Sequence, residues 1–288
     1  MSRTADGAAF CRLVEQSQPP GLRQFTDPVV GRLMDPMLAM MAGAGPLQKQ
    51  VLDSLAPGAY GGLVMRTRYI DDVVRAWARA GVDQVVVLGA GLDTRAYRLH
   101  ELAATTVFEV DLPDIQRRKQ RRLRGVPRCA RDVRFVPVDL TADRLDAALG
   151  PAGFDETTPA LFVWEGVTQY LSEAAVRSTL RFVGGSCSGS GLVFTYVLPV
   201  VIRDQGHRGW SPELRAQLSN AEPWLFGLEP RQLAGFLAEA GLDLLSDVGG
   251  AEYEERYLAP IGRHLDIDPG ERVAVATTSS EPPAAGRL

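Results

Sequence analysis

The stretch QVVVLGAGLDTRAYRLH, residues 84–100, decides the fold class. Its first part, residues 84–88, is an apolar run that leads directly into Gly89-Ala90-Gly91. Uninterrupted apolar strands are typical of parallel sheets, in which both faces of a strand are buried. Open sheets of this kind bind ligands at the carboxyl ends of their strands. The glycine turn therefore predicts a site for a nucleoside-containing ligand.

The residues after the glycines narrow the choice of ligand. A dinucleotide fingerprint has a third small residue at its sixth position, where a pyrophosphate rests on the helix N-terminus. Here that position is Thr94, and it follows Asp93, whose carboxylate would repel a pyrophosphate. This disfavours a nicotinamide dehydrogenase and favours S-adenosylmethionine, which has no phosphate and carries an ammonium group. Gly89, Gly91 and Asp93 are thus candidate cofactor-binding residues, although Asp93 can equally cap a helix over residues 94–100.

Further apolar runs alternate with helical patterns along the chain. Four of them are predicted to be parallel strands, at residues 105–110, 133–138, 160–164 and 192–197. Residues 242–248 and 272–277 are predicted to be two closing antiparallel strands. The alternation predicts an α/β fold with a doubly wound, mostly parallel, seven-stranded sheet.

Three of these strands end in an acid. Asp111, Asp139 and Glu165 each follow or close an apolar run, so a parallel sheet places them along one rim with the glycine turn. An acid at the position of Asp111 is suited to accept hydrogen bonds from ribose hydroxyls. The other two acids suit an adenine amino group and a methionine ammonium group. The alternative for each is a surface or capping acid.

Two segments lie outside the alternation of strands and helices. Residues 1–80 are predicted to form a helical N-terminal cap, and residues 198–229 an insertion after the fifth strand that serves as a lid. Long connections of this kind usually have a function. The cofactor-binding domain is expected to span residues 81–278, and the Pro- and Ala-rich tail, residues 279–288, is predicted to be disordered.

Composition excludes several functional classes. A net charge of −4 gives no basic footprint for nucleic acid, and the basic run at residues 117–124 is expected to be a solvated helix face. The three cysteines are widely spaced, which predicts neither a metal site nor a disulfide framework and favours a reducing cytoplasm. No apolar stretch approaches the ~20 residues that span a bilayer, so no membrane association is expected. Nothing in the sequence indicates an oligomeric state.

Several motifs in fixed order resemble a known family. VVVLGAGLDTRAYRL, FEVDLP, VPVDL and FVWEGVTQYL, with MRTRYIDD upstream and EPWLFGLEPRQLAGFLAEAGL downstream, are similar to the leucine carboxyl methyltransferase family. They resemble in particular its bacterial branch of tetracenomycin-type carboxyl O-methyltransferases. The resemblance covers about residues 20–278. It implies a class I methyltransferase fold, which is Rossmann-like, and S-adenosylmethionine as the cofactor.

The resemblance also implies which residues hold the cofactor. Arg66 matches the arginine that pairs with the methionine carboxylate, and Glu165 matches the acid near the ammonium group. Asp111 matches the ribose acid, while Asp139 and Leu140 match the pair at the adenine. Gly89 matches the glycine that packs against the cofactor.

The acceptor is expected to be a small molecule that is methylated on oxygen. A carboxylate is ionised at neutral pH and needs no base, whereas a hydroxyl usually does. His207, in the insertion, is the one histidine suited to that role. The shortage of a placed base favours a carboxylate of a small or natural-product molecule, converted to a methyl ester. Candidate acceptor contacts are Tyr170, Tyr196, Arg203 and Trp224.

Two alternatives to carboxyl methylation stay open. The first is methylation of a phenol or another hydroxyl, with His207 as the general base. The second is a methyltransferase-like protein that binds S-adenosylmethionine but has a role other than methyl transfer.

Overall fold

The computed structural model describes residues 3–43, 46–203, 211 and 223–278. Within these residues one sheet has seven strands: β1 (Gln84–Leu88), β2 (Thr106–Asp111), β3 (Asp132–Pro137), β4 (Leu161–Trp164), β5 (Gly191–Val197), β6 (Asp243–Val248) and β7 (Glu271–Thr277). Their spatial order is β3-β2-β1-β4-β5-β7-β6. The first five are parallel, and β7 lies antiparallel between β5 and β6.

The strand predictions are confirmed. Each observed strand end lies within one residue of the predicted end, and the closing strands are antiparallel as expected. All five residues of β1 are buried, as an apolar run in the centre of a parallel sheet requires.

Five helices of the described residues precede the sheet: α1 (Arg3–Glu15), α2 (Val30–Leu33), α3 (Pro36–Ala42), α4 (Pro46–Leu55) and α5 (Ala59–Arg79). Those after β1 are α6 (Arg95–Arg98), α7 (Pro113–Arg122), α8 (Leu145–Leu149), α9 (Glu173–Gly184), α10 (Pro199–Arg203), α11 (Pro230–Ala238) and α12 (Gly250–Tyr253). Ser172 caps α9 by accepting a hydrogen bond from the Ala175 N–H at 3.3 Å.

The apolar core occupies both faces of the sheet. Val85 and Val87 of β1 share a buried cluster with Trp77 of α5. Val86, in between, belongs to a second cluster that includes Leu180 of α9. Successive side chains of a strand point to opposite faces, so one strand supplies both clusters. Burying each of these apolar side chains fully stabilises the packing of α5 and α9 on the sheet by about 1.5–3 kcal/mol.

The site is positioned by the place where the strand order reverses. β1 pairs with β2 on one side and with β4 on the other. From β1 the strand order therefore proceeds in one direction through β2 and β3, and in the opposite direction from β4 onward. A crevice forms outside the carboxyl ends of strands at such a point. The glycine turn that follows β1 lies in that crevice.

Candidate functional site

A cavity of about 850 Å³ lies at the carboxyl ends of β1, β2 and β4. Ligand pockets commonly measure ~300–1,000 Å³, so this one has room for a nucleoside cofactor and a small acceptor. Residues from α1 and α5 wall its other side. The predicted site residues that line it are Arg66, Gly89, Gly91, Asp93, Asp111, Asp139, Leu140, Glu165, Tyr170 and Trp224.

The glycine turn has a conformation that side chains would disrupt. Gly89 has a φ of +67°, and a Cβ atom there would lie 2.4 Å from the Val167 side chain. Both facts require glycine. The Ala90 N–H donates to the Val110 carbonyl at 2.9 Å, which ties the turn to β2.

Asp111 fixes the other side of the same turn. One oxygen of its carboxylate accepts from the Gly91 N–H and the other from the Leu112 N–H, both at 2.6 Å. Burial raises the pKa of Asp111, and the two backbone bonds oppose that shift. The carboxylate therefore faces the cavity in a fixed orientation beside the glycine turn.

Asp139 follows the end of β3, and its carboxylate is held by hydrogen bonds from a residue close by in the chain. Its carboxylate accepts from the backbone N–H of Thr141 at 2.8 Å and from the hydroxyl of Thr141 at 2.6 Å. These bonds lower the pKa of Asp139. Leu140 beside it is half-buried and lines the cavity.

Arg66 of α5 joins two carboxylates from distant strands. Its Nε donates to Glu165 at 2.9 Å, and its Nη1 donates to both oxygens of Glu271 at 2.8 and 2.9 Å. Arg66 is only 9% exposed, so its three bonds are made where water screens them little. Glu271 begins β7 and lines the cavity. Sequence reasoning missed it because no motif surrounds it.

Arg95, which follows the glycine turn in the sequence, extends this network of ion pairs. It contacts Glu165 at 2.8 Å, Asp71 at 2.8 Å and Asp93 at 2.5 Å. Burial raises the pKa of Glu165, but Arg95 and Arg66 outweigh it, so that pKa is lowered and the carboxylate stays ionised. Arg95 was not among the predicted site residues, although it lies within the quoted motif VVVLGAGLDTRAYRL.

Asp93 acts on the helix that follows it. One oxygen accepts from the Arg95 N–H at 2.7 Å. The N-cap residue of the observed helix is Thr94, so Asp93 lies one residue before the capping position expected for it. The helix itself is shorter than predicted and covers Arg95–Arg98 before a 3₁₀ turn. Asp93 nevertheless lines the cavity.

Helix α1 closes the cavity over the glycine turn. Arg12 donates to the Leu92 carbonyl at 2.6 Å and lies 3.4 Å from Asp27. Glu15 accepts from Arg263 at 2.7 and 2.8 Å, so α1 is also tied to a residue far along the chain. The helix is therefore a fixed wall of the cavity.

The basic run on α7 differs from the solvated face expected for it. Lys119 is 2% exposed, lies 2.6 Å from Glu109 and donates to the Ala90 carbonyl at 3.3 Å. Burial, only partly offset by Lys119, raises the pKa of Glu109 to about 7. Arg117, two residues earlier, is exposed as predicted. A lysine that points inward from a basic run has no local sequence signal.

The predicted acceptor contacts fall in different places. Tyr170 and Trp224 line the cavity and pack edge to face, with ring centroids 6.4 Å apart. Tyr196 is fully buried in the opposite face of the sheet, where its hydroxyl donates to Asp247 at 3.0 Å. Arg203 is exposed at the end of α10 and does not line the cavity. His207 and the tail at residues 279–288 lie outside the described residues.

These residues fit S-adenosylmethionine. The Arg66 Nη2 has no acceptor among the residues that the structure describes, so it is free to meet a carboxylate. Leu112 lines the cavity yet is 45% exposed, which leaves an apolar surface for a flat ring. Asp111 and Asp139 supply the acceptors that a ribose and an amino group need.

The leucine carboxyl methyltransferase family model matches residues 5–184, the greater part of the chain. The chain belongs to this family. The matched span includes the glycine turn, β1 to β4 and the acids at the ends of β2, β3 and β4. The finer resemblance to tetracenomycin-type enzymes stays a prediction.

Curated relatives of this leucine carboxyl methyltransferase family member carry the name "Putative S-adenosyl-L-methionine-dependent methyltransferase". One from Parafrankia sp. is 35% identical over 249 residues, covering 80% of this chain and 73% of the relative. One from Mycolicibacterium gilvum is 44% identical over 142 residues, covering 49% and 46%. A Mycobacterium tuberculosis protein is 41% identical over 159 residues, covering 51% of each. The alignments with the last two thus span about half of those relatives.

Solved structures share the fold across nearly the whole chain. A DUF574 family protein from Streptomyces avermitilis has a TM-score of 0.57 at 18% identity, covering 94% of this chain and 96% of that one. A protein from Thermobifida fusca, described as "a putative methyltransferase", has a TM-score of 0.58 at 18% identity, covering 92% and 99%. The predicted class I fold is confirmed.

None of the helices in the described part of the chain is long and apolar enough to cross a bilayer. Across residues 3–43, 46–203, 211 and 223–278, no group of three or more His, Cys, Asp or Glu side chains is arranged to hold a metal ion.

Proposed function

We propose that this protein transfers a methyl group from S-adenosylmethionine to a carboxylate oxygen of a small molecule. The observation that carries the proposal is that no histidine, the side chain most often used as a general base, lines the described part of the cavity wall. Glu165 does line it, but Arg95 and Arg66 lower its pKa and so make it a weak base. Burial raises the pKa of the Cys11 thiol, which also lines the cavity, to about 12. An acceptor that is already ionised needs none of these groups.

The chain's contribution is to bind and orient. When bound, the cofactor supplies an electrophilic methyl group on its sulfonium; transfer to a carboxylate breaks the sulfur–carbon bond, forms an oxygen–carbon bond and moves no proton. Arg66, through its Nη2, would hold the methionine carboxylate, and Asp111 would orient the ribose. Orientation of this kind lowers a barrier by several kcal/mol, up to about 7–11 in ideal cases.

The apolar part of the cavity supports a small acceptor with an apolar body. Leu52, Leu63, Tyr170, Val197 and Trp224 line it. Such walls exclude water, which would otherwise solvate the carboxylate and weaken its attack.

The test is a transfer assay with methyl-labelled cofactor and a panel of aromatic and aliphatic carboxylic acids. We expect labelled products that release methanol in mild base, because methyl esters hydrolyse there and methyl ethers do not. Products stable to base would overturn the carboxylate assignment.

A variant separates this proposal from hydroxyl methylation. Replacing His207 with Ala is expected to change kcat less than about threefold, since a carboxylate needs no general base. A loss of about a hundredfold or more would instead indicate that a hydroxyl is methylated with His207 as base. Tight cofactor binding without S-adenosylhomocysteine formation from any acid, phenol or alcohol would indicate a role other than methyl transfer.

A further inference from the structure

Glu271 is a carboxylate at the edge of the buried ion-pair network, where that network meets the cavity. It begins β7, and its carboxylate accepts from the Nη1 of Arg66 at 2.8 and 2.9 Å. Arg66 is its one cationic partner among the residues that the structure describes. The Glu271 side chain is 17% exposed and lines the cavity. A ligand in the cavity is therefore within reach of its charge.

The sheet register places Glu271 between two parts of the cavity. In the ladder of β5 and β7 it is the partner of Val197, and the next residue, Leu198, donates its N–H to the Gly270 carbonyl at 2.8 Å. Val197 lines the apolar part of the cavity, and Arg66 lines the part that suits a methionine carboxylate. A sulfonium joins the methionine chain to the methyl group that is transferred. Its positive charge therefore belongs in the region of Glu271.

The ion-pair network has one more negative charge than positive charges. Pairs no longer than 3.6 Å connect four arginines with five carboxylates in the described part of the chain: Arg12, Arg66, Arg95 and Arg98 with Asp27, Asp71, Asp93, Glu165 and Glu271. Arg66 divides its charge between Glu165 and Glu271. The network therefore leaves Glu271 only partly neutralised.

The methyl donor and the molecule that remains after transfer differ by one charge. S-adenosylmethionine has a carboxylate, an ammonium and a sulfonium, so it carries a net positive charge. S-adenosylhomocysteine keeps the carboxylate and the ammonium, but its sulfur is a neutral thioether. A partly neutralised carboxylate near the sulfur attracts the first molecule more than the second, and it does so most strongly where water is excluded.

We propose that Glu271 is a specificity-determining residue that favours the sulfonium cofactor over the S-adenosylhomocysteine left after transfer. Its charge stabilises the bound cofactor. That stabilisation ends when the sulfur–methyl bond breaks and its electron pair stays on sulfur, which becomes neutral. The spent molecule is then held less firmly, which favours its release. The inference concerns the methyl donor alone, so it does not depend on which acceptor is methylated.

The test measures the Kd of both ligands by calorimetry, without an acceptor. In Glu271→Gln the amide oxygen can still accept from Arg66, but the negative charge is gone. We expect the Kd of S-adenosylmethionine, divided by that of S-adenosylhomocysteine, to rise at least about fivefold over wild type. The ratio is informative because any change in how Arg66 holds the methionine carboxylate affects both ligands alike.

Two further variants separate the effect of charge from an effect of shape. Glu271→Asp keeps the charge on a shorter side chain, so the ratio should stay within about twofold of wild type. Asp139→Asn makes the same change from carboxylate to amide at the other end of the cavity. Both ligands have the same adenosine, so this control should shift both Kd values equally and leave their ratio unchanged.

The outcomes decide the role of Glu271 separately from the proposed function. Equal weakening of both ligands in Glu271→Gln, which a disturbed fold would also give, overturns the proposal. An unchanged ratio overturns it too, as does a ratio in Glu271→Asp that matches the one in Glu271→Gln. A protein that methylates no carboxylic acid would refute the proposed function, while the ratio of the two Kd values would still decide the role of Glu271.

Discussion

The two ends of the cavity hold their charges in different ways. At the first end, Arg66 and Arg95 are buried and join carboxylates from other elements, such as Glu165 and Glu271. At the second end, Asp111 and Asp139 are half-buried and accept hydrogen bonds mainly from nearby backbone and hydroxyl groups. The first arrangement makes the fold and the site depend on each other, while the second leaves the acids available to a ligand at little cost to the fold.

The contrast between the two ends of the cavity is tested most directly by a substitution at Arg95. Arg95→Ala leaves Asp71, Asp93 and Glu165 without a shared cation, and losing one partner of a buried ion pair costs about 3–5 kcal/mol. We expect a loss of about 4 kcal/mol in the free energy of unfolding, measured by urea denaturation without cofactor. Arg79→Ala is the control, since Arg79 is mostly exposed and its pair with Glu101 is worth under about 1 kcal/mol. A loss below about 1 kcal/mol for Arg95→Ala would contradict the interpretation.

The buried pair of Lys119 and Glu109 tests the effect of a buried ion pair on stability through its pH dependence. In Lys119→Met the buried Glu109 loses its cation, so its pKa, already raised to about 7, rises further. An acid with a raised folded pKa binds more protons in the folded state than in the unfolded state, so stability falls as pH rises above about 4.5. We expect the variant to be less stable than wild type by about 3 kcal/mol at pH 8 and by clearly less at pH 5.

The measurement for Lys119 is urea denaturation at both pH values. The double variant Glu109→Gln/Lys119→Met removes both charges and should recover most of the loss at pH 8. A deficit in Lys119→Met that stays constant from pH 5 to pH 8 would show that Glu109 does not titrate in this range.

At the second end of the cavity, we expect substitutions to change cofactor binding more than the stability of the fold. Asp111→Asn keeps an acceptor for one backbone N–H but loses the charge that would hold two ribose hydroxyls. We expect the cofactor Kd to rise about tenfold, or ~1.4 kcal/mol, while unfolding changes by under about 1 kcal/mol. Calorimetry and urea denaturation measure the two quantities. Asp114→Asn, at an exposed position on α7, should change neither. An unchanged cofactor Kd in Asp111→Asn would contradict the expectation that Asp111 holds the ribose.

The smallest effect is expected at Asp139. Asp139→Asn keeps the bonds from Thr141 and weakens only the contact with an adenine amino group, so the cofactor Kd should rise about threefold, under ~1 kcal/mol. Asp155→Asn is a matched control, because Asp155 accepts from the backbone and hydroxyl of Thr157 in the same way but does not line the cavity. Equal shifts in both variants would indicate a local turn effect.

The second end was predictable because its signals are local. Runs of β-branched residues mark the strands, and Asp111 and Asp139 close or follow such runs, so the sheet places them at one rim. The glycine turn needs only its own backbone conformation to be recognised.

The first end was largely hidden because its partners are distant in sequence. Glu271 meets Arg66 across 205 positions, and nothing near residue 271 marks it. Lys119 points inward from a run whose composition indicates solvent. Tyr196 shows the effect of the strand's period of two, since Val197 lines the cavity while Tyr196 lies in the opposite face.

The tie between α1 and Arg263, together with the position of Glu271 in the last strand, has a consequence for synthesis of the chain. On the ribosome, the glycine turn and all the strand-end acids emerge before either of these residues. A nascent chain that stops short of residue 263 has its first helix without that anchor, and one that stops short of residue 271 has Arg66 with a single carboxylate. The cofactor cavity is therefore among the last parts of the molecule to be completed during translation.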